Sequence, residues 1–430
     1  MLTTANGSAP APAPRKNSRA PNPTVLVIAD EWFSAHGGIS TLNRRLCSAL
    51  AEVGAHVHCL VPSASAAEHA DAAGTAVHLV QARAMPGGPR LLALMQKPAL
   101  PDGPPDVIIG HGRITGLAAK FMVENHFPGA ARLHLVHVAP DELEWWRPDR
   151  PDDAGVRAEE RSEFELALGH DATRTVAVGP RLHQRFERDL HAFPRAAPPV
   201  RFDPGFDGAA GIRRGPAPGA PLQVLLLGRM EDVEIKGVDL AAKILAHAVD
   251  LRGPDETEVE LLVRGAAPGE CGAMRDRLRA WAQRPALQVS VRPFTTDADR
   301  LQADLARAHL VLMPSRAEGF GLAGAEAITL GVPTLVSSRS GLGQLAREIL
   351  PPADAAQVVV PMTLSEGDDV ARWGAHVAAI LRDPMGAFAV ADRVRREAAR
   401  KRTWVMAAEH LLVTLGSGSE ALGRTRRPFN

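Results

Sequence analysis

The sequence is poor in several residue types on which large classes of proteins depend. Tyrosine is absent, and the aromatic residues together make up 4% of the 430 residues. The chain therefore offers few of the flat faces on which single-stranded nucleic acids stack. It also has no net charge, because 49 Lys and Arg residues balance 49 Asp and Glu residues. The broad basic field of a general nucleic-acid binder is excluded, and we expect no nucleic-acid partner.

Cysteines and long apolar runs are equally scarce. The three cysteines, Cys47, Cys59 and Cys271, form no C-x-x-C pair. So sparse a set argues against a disulfide framework or a structural zinc site and for a reducing compartment. No apolar run approaches the roughly 18 residues of a membrane-spanning helix, and the first residues lack the apolar core of a secretion signal. We therefore predict a cytoplasmic protein without a transmembrane segment.

The remaining composition is that of a globular chain, with 45% hydrophobic and 23% charged residues. Its length suits two domains of roughly 150–200 residues each. Three stretches have a biased composition. Residues 1–23 and 415–430 are interpreted as tails, and the Gly- and Pro-rich residues 196–221 are predicted to connect the domains.

Short apolar runs alternate with helical patterns on both sides of this linker. Such unalternated runs of Val, Leu and Ile are typical of strands buried on both faces of a parallel sheet. The runs are Val25–Ala29, Val57–Val61, Val107–Ile109, Leu133–Ala139, Thr175–Val178, Val224–Leu227, Val259–Val263, Leu310–Met313, Pro333–Val336 and Val358–Val360. The pattern predicts two Rossmann-like, doubly wound α/β domains that face one cleft. We assign them to residues 24–195 and 222–385, followed by closing helices over 386–414.

A glycine pair follows the first predicted strand. Gly37 and Gly38 lie directly before a helix whose apolar residues recur every three or four positions from Ile39 to Val53. Glycines allow close approach of a ligand, and the free amides at a helix start attract anions. The alternative is a plain tight turn, because the full dinucleotide fingerprint is absent.

Two basic residues follow the first strand of the second domain. This strand ends at Gly228, so Arg229 lies at its carboxyl end, where open α/β sheets bind ligands. Lys236 comes seven residues later. Together the two cations could hold a pyrophosphate and stabilise it as it leaves. The alternative is a solvated basic pair beside the acidic residues of segment 231–234.

A Gly-rich loop after the run Leu310–Met313 contains Glu318. The loop leads into a helix predicted to begin near Gly321, and Glu326 lies about a turn and a half along it. Two carboxylates so spaced could bind hydroxyls at separate points of one extended ligand, such as a sugar and a ribose. The alternative is an ordinary pair of surface glutamates.

The segment from Glu318 to Glu326 resembles the E-x7-E signature of the retaining glycosyltransferases of family 4, which have the GT-B fold. Other segments resemble further motifs of that family, in the same order. They are the glycine loop Gly37-Gly38-Ile39-Ser40, the interdomain segment Asp203–Asp207, the diphosphate-binding pair Gly228-Arg229 with Lys236-Gly237, and the closing helix Thr403–Leu412. The resemblance spans about residues 24–414.

The resemblance implies roles for individual residues. Glu318 would contact hydroxyls of the donor sugar, Glu326 would contact the ribose, and Arg229 and Lys236 would bind the diphosphate. His111 would be an active-site histidine beside the transferred sugar, although a histidine after a strand is by itself more often structural. The remaining donor-binding positions are Gly37, Gly38, Gly228, Gly319, Phe320, Gly321 and Leu322.

The resemblance also implies the reaction. Such enzymes move a sugar from a nucleotide diphosphate donor to an acceptor hydroxyl with retention of configuration, without a cofactor or an obligatory metal ion. UDP is the expected nucleotide because it is the commonest in the family. The acceptor, a small molecule or a saccharide, would bind the N-terminal domain. The sequence identifies neither the acceptor nor the oligomeric state, and a peripheral membrane contact is a minority interpretation.

Two other functions stay open, a sensor that binds a nucleotide sugar without turnover and a GT-B epimerase that acts on the nucleotide sugar itself. Several details are also open. Arg229 and Lys236 are further apart than in the common form of the family, so the insert is expected to shift Lys236. Trp145 and Trp146 would form a lip of the acceptor site or anchor a loop, and His137 is interpreted as a core or crevice residue.

Overall fold

The computed structural model describes residues 22–33, 38–84, 87–146, 152–208, 220–230, 232–253, 257–285 and 287–422, the side chains of 416–422 excepted. Gly37, one of the predicted donor-site residues, lies outside the described residues, as do residues 1–21 of the first predicted tail and 423–430 of the second.

The first domain is built on a sheet of seven parallel strands in the order β3-β2-β1-β4-β5-β6-β7. The strands are β1 Thr24–Ile28, β2 His56–Val61, β3 Val77–Gln81, β4 Val107–His111, β5 Ala131–Val136, β6 Arg174–Val178 and β7 Val200–Phe202. The helices are α1 Gly38–Glu52, α2 Ala66–Gly74, α3 Gly112–Asn125, α4 Pro140–Glu144, α5 Ala154–His170 and α6 Gly179–Leu190, with a 3-10 helix at Arg90–Met95.

The second domain contains six parallel strands in the order β10-β9-β8-β11-β12-β13. They are β8 Leu222–Leu227, β9 Val259–Ala266, β10 Gln288–Pro293, β11 Leu310–Met313, β12 Thr334–Ser337 and β13 Val359–Val360. The helices are α7 Val233–Lys236, α8 Val238–Arg252, α9 Cys271–Ala282, α10 Ala298–Arg307, α11 Leu322–Thr329, α12 Gly341–Ile349, α13 Pro352–Val358, α14 Glu366–Arg382, α15 Pro384–Lys401 and α16 Trp404–Leu422.

The central strands are the apolar runs of the sequence. All five residues of β1 are buried, and its two neighbours are β2 and β4. Helices cover both faces, and burial stabilises each large apolar side chain by about 1.5–3 kcal/mol. The predicted fold class, two doubly wound α/β domains, is confirmed.

Each sheet has a point where the strand order reverses, between β1 and β4 and between β8 and β11. Parallel sheets of this kind bind ligands at the carboxyl ends of these strands. Loops from the two carboxyl edges also touch. A Cβ atom added to Gly38, at the start of α1, would lie 3.1 Å from Leu322 at the start of α11. The cleft between the domains therefore lies where ligands of this fold bind.

The chain passes between the domains at two adjacent points. β7, within the predicted linker 196–221, pairs with β6 of the first sheet, and Asp203–Asp207 follows it. The Oδ1 atom of Asp207 accepts a hydrogen bond of 2.6 Å from the backbone N of Trp404, where α16 begins. A Cβ atom on Gly205 would lie 2.1 Å from the same nitrogen, so only glycine allows this approach. From there α16 returns to pack against α1 of the first domain.

No helix within the described ranges is both long and apolar enough to cross a membrane.

Candidate active site

Lys236 and Glu318 form an ion pair at the carboxyl edge of the second sheet. Lys236 ends α7, so the acidic insert that separates it from Arg229 contributes a helical turn that directs the ammonium group toward Glu318. Gly237 follows in the left-handed region, with φ of 65°, and a Cβ atom there would lie 2.2 Å from the carbonyl oxygen of Pro314. The glycine thus lets α7 lie directly against the Glu318 loop.

Arg229 lies at the same edge but is held more loosely. Its Nη2 atom is 3.1 Å from Oδ2 of Asp232, and 48% of its side chain is exposed. Exposed ion pairs contribute only about 0–1 kcal/mol. The guanidinium group is therefore free to exchange Asp232 for a more highly charged anion. Gly228, just before it, directly follows β8 and donates its N–H to the carbonyl oxygen of Arg264.

The loop between Glu318 and α11 is held through its carbonyl groups. The carbonyl oxygens of Gly319 and Phe320 accept from the amides of Gly341 and Leu342, at 3.0 and 2.8 Å. Within the described part of the chain, no group accepts a hydrogen bond from the amides of Gly319, Phe320 or Gly321. These donors, together with the first turn of α11, can face an anion or sugar hydroxyls. The ring of Phe320 is buried and packs against Gly179 of α6, so it forms part of the contact between the two domains.

Glu326 is half-buried on α11. Burial raises the pKa of its carboxyl group, and the positive charges of Arg45 and Arg44 on α1 oppose this rise in pKa. The carboxylate therefore lies near the boundary between the two domains. A half-buried carboxylate that can accept two hydrogen bonds suits a pair of vicinal hydroxyls.

His111 ends β4 and is 2% exposed, but both of its ring nitrogens are already bonded within the first domain. Its Nδ1 atom lies 3.0 Å from Nε2 of His137, and its Nε2 atom lies 3.0 Å from Oδ1 of Asn43 on α1. A hydrogen bond from a ring nitrogen of His111 to the donor sugar would have to replace or share one of these bonds, and the predicted contact stays a prediction.

The backbone of His137, one residue beyond β5, borders the Glu318 loop. A Cβ atom on Gly319 would lie 2.0 Å from the carbonyl oxygen of His137, so the two backbones are in contact. His137 is partly exposed. Its Nδ1 atom has no bonding partner among the described residues. Sequence reasoning assigned His137 to the core or crevice because its spacing on an apolar strand could not show which histidine reaches the cleft.

Arg316, in the same loop as Glu318, joins the two domains. Its guanidinium group makes a bidentate pair with Asp239, at 2.8 and 2.7 Å, and lies 5.4 Å from the ring centre of Trp146 in the first domain. Trp145 is 67% exposed instead. The sequence allowed the tryptophan pair to be either a lip of the acceptor site or an anchor for a loop. Trp146 fits the second interpretation, because it holds the first domain to the second.

A polar pocket of about 440 Å³ adjoins this region, between the first domain and α12. Its inner wall includes Leu182, whose Cδ1 atom lies 3.6 Å from the Cβ position of Gly319. Leu182, which is 1% exposed, therefore lies between the pocket and the contact of Gly319 with His137. Its lining residues are Ala139, Glu142, Arg181, Leu182, Gln184, Arg185, Glu187, Arg188 and Gln344.

The part of the chain that the structure describes contains no cluster of three or more His, Cys, Asp or Glu side chains that could hold a metal ion.

Comparison with other proteins identifies the family. Residues 26–411 match a family described as "Family 4 Glycosyltransferase in conflict systems". A D-inositol 3-phosphate glycosyltransferase of Xylanimonas cellulosilytica is 30% identical over 255 residues, which is 59% of this chain and 54% of that protein. One from Pseudarthrobacter chlorophenolicus is 28% identical over 336 residues, 72% of this chain and 76% of that protein. The chain thus spans about half of the first relative and three quarters of the second.

Among solved structures, Anabaena HepE, in complex with UDP and glucose, has a TM-score of 0.64 at 15% identity. The match covers 92% of this chain and all of that one. At this identity the likeness shows the fold alone, and that fold is GT-B. Since the family match extends over most of the chain, from the first strand into α16, the protein belongs to the family 4 glycosyltransferases.

Proposed function

We propose that the protein transfers a sugar from a nucleotide diphosphate sugar, with UDP as the nucleotide, to an acceptor hydroxyl, with retention and without an obligatory metal ion. One observation carries the proposal. Lys236, Glu318 and the first turn of α11 meet at the carboxyl edge of the second sheet, and the exposed Arg229 lies at the same edge. This arrangement offers both cations and amides to a diphosphate and a carboxylate to the sugar beside it.

The basic pair would bind the diphosphate and stabilise it as it leaves. Charge-assisted hydrogen bonds from a guanidinium and an ammonium group are the strong ones in proteins. They strengthen as negative charge develops on the departing phosphate, which is what lowers the barrier. Arg229 and Lys236 would thus supply the positive charge that a metal ion supplies in metal-dependent transferases. The presence of these two cations supports the proposal of metal independence.

The sugar would lie between Glu318, the amides of Gly319 and Phe320, and His137. Retention follows when the acceptor hydroxyl attacks from the face that the diphosphate leaves. The bond from the anomeric carbon to the phosphate oxygen breaks, the bond to the acceptor oxygen forms, and the hydroxyl proton passes to the departing phosphate. The proposal thus needs no protein nucleophile.

For the acceptor we propose a phosphorylated polyol bound in the polar pocket. The curated relatives are named for inositol 3-phosphate. In the pocket, Arg181 pairs with Glu142 at 2.6 Å and Arg185 with Asp141 at 2.9 Å. Arg188 has no carboxylate partner within the described ranges and donates only to the carbonyl oxygen of Gln184. It is therefore the guanidinium group available to a phosphate.

The donor test is a thermal-shift panel of UDP, GDP and ADP sugars in the presence of EDTA. A donor at a hundredfold excess over its dissociation constant stabilises the native state by about 2.7 kcal/mol. Arg229→Ala should abolish the shift. Arg300→Ala is the matched control, because Arg300 also makes an exposed pair of 3.1 Å with an aspartate three residues away. A shift with GDP or ADP sugars alone would overturn the choice of UDP.

Turnover separates the proposal from its alternatives. The product anomer, determined by NMR, should match the donor, and EDTA should leave the rate unchanged. An inverted product or a rate restored only by added Mg²⁺ would contradict the corresponding part of the proposal. Binding without product over a broad acceptor panel would favour the sensor, and a changed nucleotide sugar without any acceptor would favour the epimerase.

The acceptor test compares inositol phosphate with free inositol. We expect Arg188→Ala to raise KM at least tenfold for the phosphorylated acceptor, since a charge-assisted bond contributes about 1.5–3 kcal/mol, with little change in kcat. Arg396→Ala, at an exposed position outside the cleft, is the control. Equal use of free inositol by the unaltered protein would contradict the phosphate site.

A further inference from the structure

Three side chains form a hydrogen-bonded series behind the cleft, and two of them, Asn43 and His111, are buried. Asn43 of α1 is fully buried and bonds to His111 of β4, which in turn bonds to His137, each at 3.0 Å. His137 is the member of this series that borders the donor loop. The tautomer of His137 depends on which atoms of Asn43 and His111 carry hydrogens.

Two thiols determine the orientation of the Asn43 amide. Its Nδ2 atom donates to Sγ of Cys59, and its Oδ1 atom accepts from Sγ of Cys47, both at 3.5 Å. Burial and the adjacent Cys59 raise the pKa of Cys47 well above its usual value, so this thiol keeps its proton and remains a donor. Oδ1 therefore faces His111, and the Nε2 atom of His111 must carry a hydrogen to bond with it.

The positions of the hydrogens on His111 and His137 can now be assigned one after the other. Burial, together with the positive charge that a protonated His134 would contribute, lowers the pKa of His111 to about 4. Burial and the neighbouring histidines lower the pKa of His137 well below its usual value. Both rings are neutral near pH 7, so each carries one hydrogen. Because His111 has its hydrogen on Nε2, its Nδ1 atom is an acceptor, and Nε2 of His137 must donate to it.

We propose that Asn43 and His111 are positioning residues that fix His137 as its Nε2-protonated tautomer, so that Nδ1 is a hydrogen-bond acceptor for a hydroxyl of the donor sugar. The inference rests on the proposed function, in which His137 borders the sugar. A ring free to exchange tautomers would present a donor part of the time and would lose this contact. This hydrogen-bonded series also explains why His111 is buried with both ring nitrogens in hydrogen bonds.

The first test needs no substrate. In the full-length protein labelled with ¹⁵N, Nδ1 of His137 should have the chemical shift of a bare ring nitrogen and Nε2 that of a protonated one. Asn43→Leu should shift both values toward a mixture of tautomers. A protonated Nδ1 in the unaltered protein would overturn the proposal, whatever the enzyme turns out to transfer.

The second test measures kcat and nucleotide affinity separately. His111→Leu and Asn43→Leu should lower kcat at least about tenfold and leave the UDP dissociation constant within twofold. His111→Gln should keep most of kcat, because a glutamine amide can offer its oxygen to His137 and its NH2 group to Asn43. His309→Leu, at a half-buried histidine of the second domain, is the control.

The two proposals can fail separately. An unchanged kcat in folded His111→Leu, or a loss as large in His111→Gln as in His111→Leu, would overturn the positioning role. An unaltered protein that binds no nucleotide sugar would instead count against the proposed function, and the tautomer of His137 would still be measurable.

Discussion

Lys236 and Glu318 are bonded to each other, although the proposed function assigns them to different parts of one donor. Lys236 would bind the diphosphate, and Glu318 would bind the sugar attached to it. In this proposal both side chains contact the same ligand. The diphosphate can therefore bind Lys236 while the ammonium group stays close to Glu318. The pair then orients the two groups before binding, which lowers the entropic cost of assembling the site.

Replacing Lys236 with methionine tests this arrangement. The substitution keeps the length of the side chain and removes the charge, so we expect donor affinity to fall about 10–100-fold. Lys243→Met is a close control, because Lys243 makes an ion pair of 2.7 Å with Glu366 at a similar exposure, 28% against 25%. Isothermal titration with the preferred nucleotide sugar measures both. Equal losses of donor affinity in the two variants would show a general effect of net charge and would contradict a direct contact between Lys236 and the donor.

Glu326→Gln should separate binding from stability. Burial raises the pKa of Glu326, so in the window just above the usual carboxyl value the folded state binds more proton than the unfolded state. Stability contributed by this group is therefore lost as pH rises through that window. The amide removes the cost of ionisation, and thermal unfolding at pH 8 should occur at a higher temperature than in the unaltered protein.

The same variant should be closer to the unaltered protein in stability at pH 4, where the carboxyl group is protonated in both states. Donor affinity should fall, because the amide accepts fewer hydrogen bonds from ribose hydroxyls. A lower unfolding temperature at pH 8 would show that attraction to Arg44 and Arg45 outweighs the cost of burial.

At the scale of elements, the central strands could be predicted, and of the edge strands only β13, which lies in the run Val358–Val360, could be. β1, β8 and β11 read as continuous apolar runs because both of their faces are covered. β3 and β10 lie at sheet edges, where exposed and buried residues alternate, so a search for continuous runs does not select them. The place of the Glu318 loop between β11 and α11 could be predicted because the residues that define it are close in sequence. The bonds of His111 could not be predicted, since Asn43 and His137 come from other elements.

Gly319 limits how the Glu318 loop approaches the first domain. Gly319→Ala would bring a methyl group to 2.0 Å from the carbonyl oxygen of His137, so one backbone has to move. We expect kcat to fall by at least about tenfold, because a displacement of 1 Å at a reacting group costs up to a hundredfold. Gly272→Ala in α9, whose Cβ position has no atom within 4 Å, should leave activity unchanged. Normal kcat in folded Gly319→Ala would contradict this positioning.

At the scale of the whole molecule, the two domains are joined by contacts as well as by the chain. The stack of Arg316 on Trp146 spans the cleft, and such contacts contribute about 0.5–2 kcal/mol. Trp146→Ala should favour an open cleft, raise the donor KM several-fold and increase hydrolysis of the donor by water. Trp145→Ala is the adjacent control, since Trp145 is 67% exposed. Small-angle scattering measures the opening of the cleft, and the ratio of hydrolysis to transfer measures the access of water to the donor. Identical behaviour of the two variants would show that the contact between Arg316 and Trp146 does not hold the domains together.

The return of α16 to the first domain has a consequence for how the protein is made. Ala407, Ala408 and Leu411 belong to the same apolar cluster as Leu42 and Leu46 of α1. The ribosome synthesises about 200 residues between β7 and α16, and domains generally fold in order as they emerge. Here the first domain acquires its last helix only after the second has been synthesised. Until then the face of α1 that α16 covers stays open to water and to chaperones.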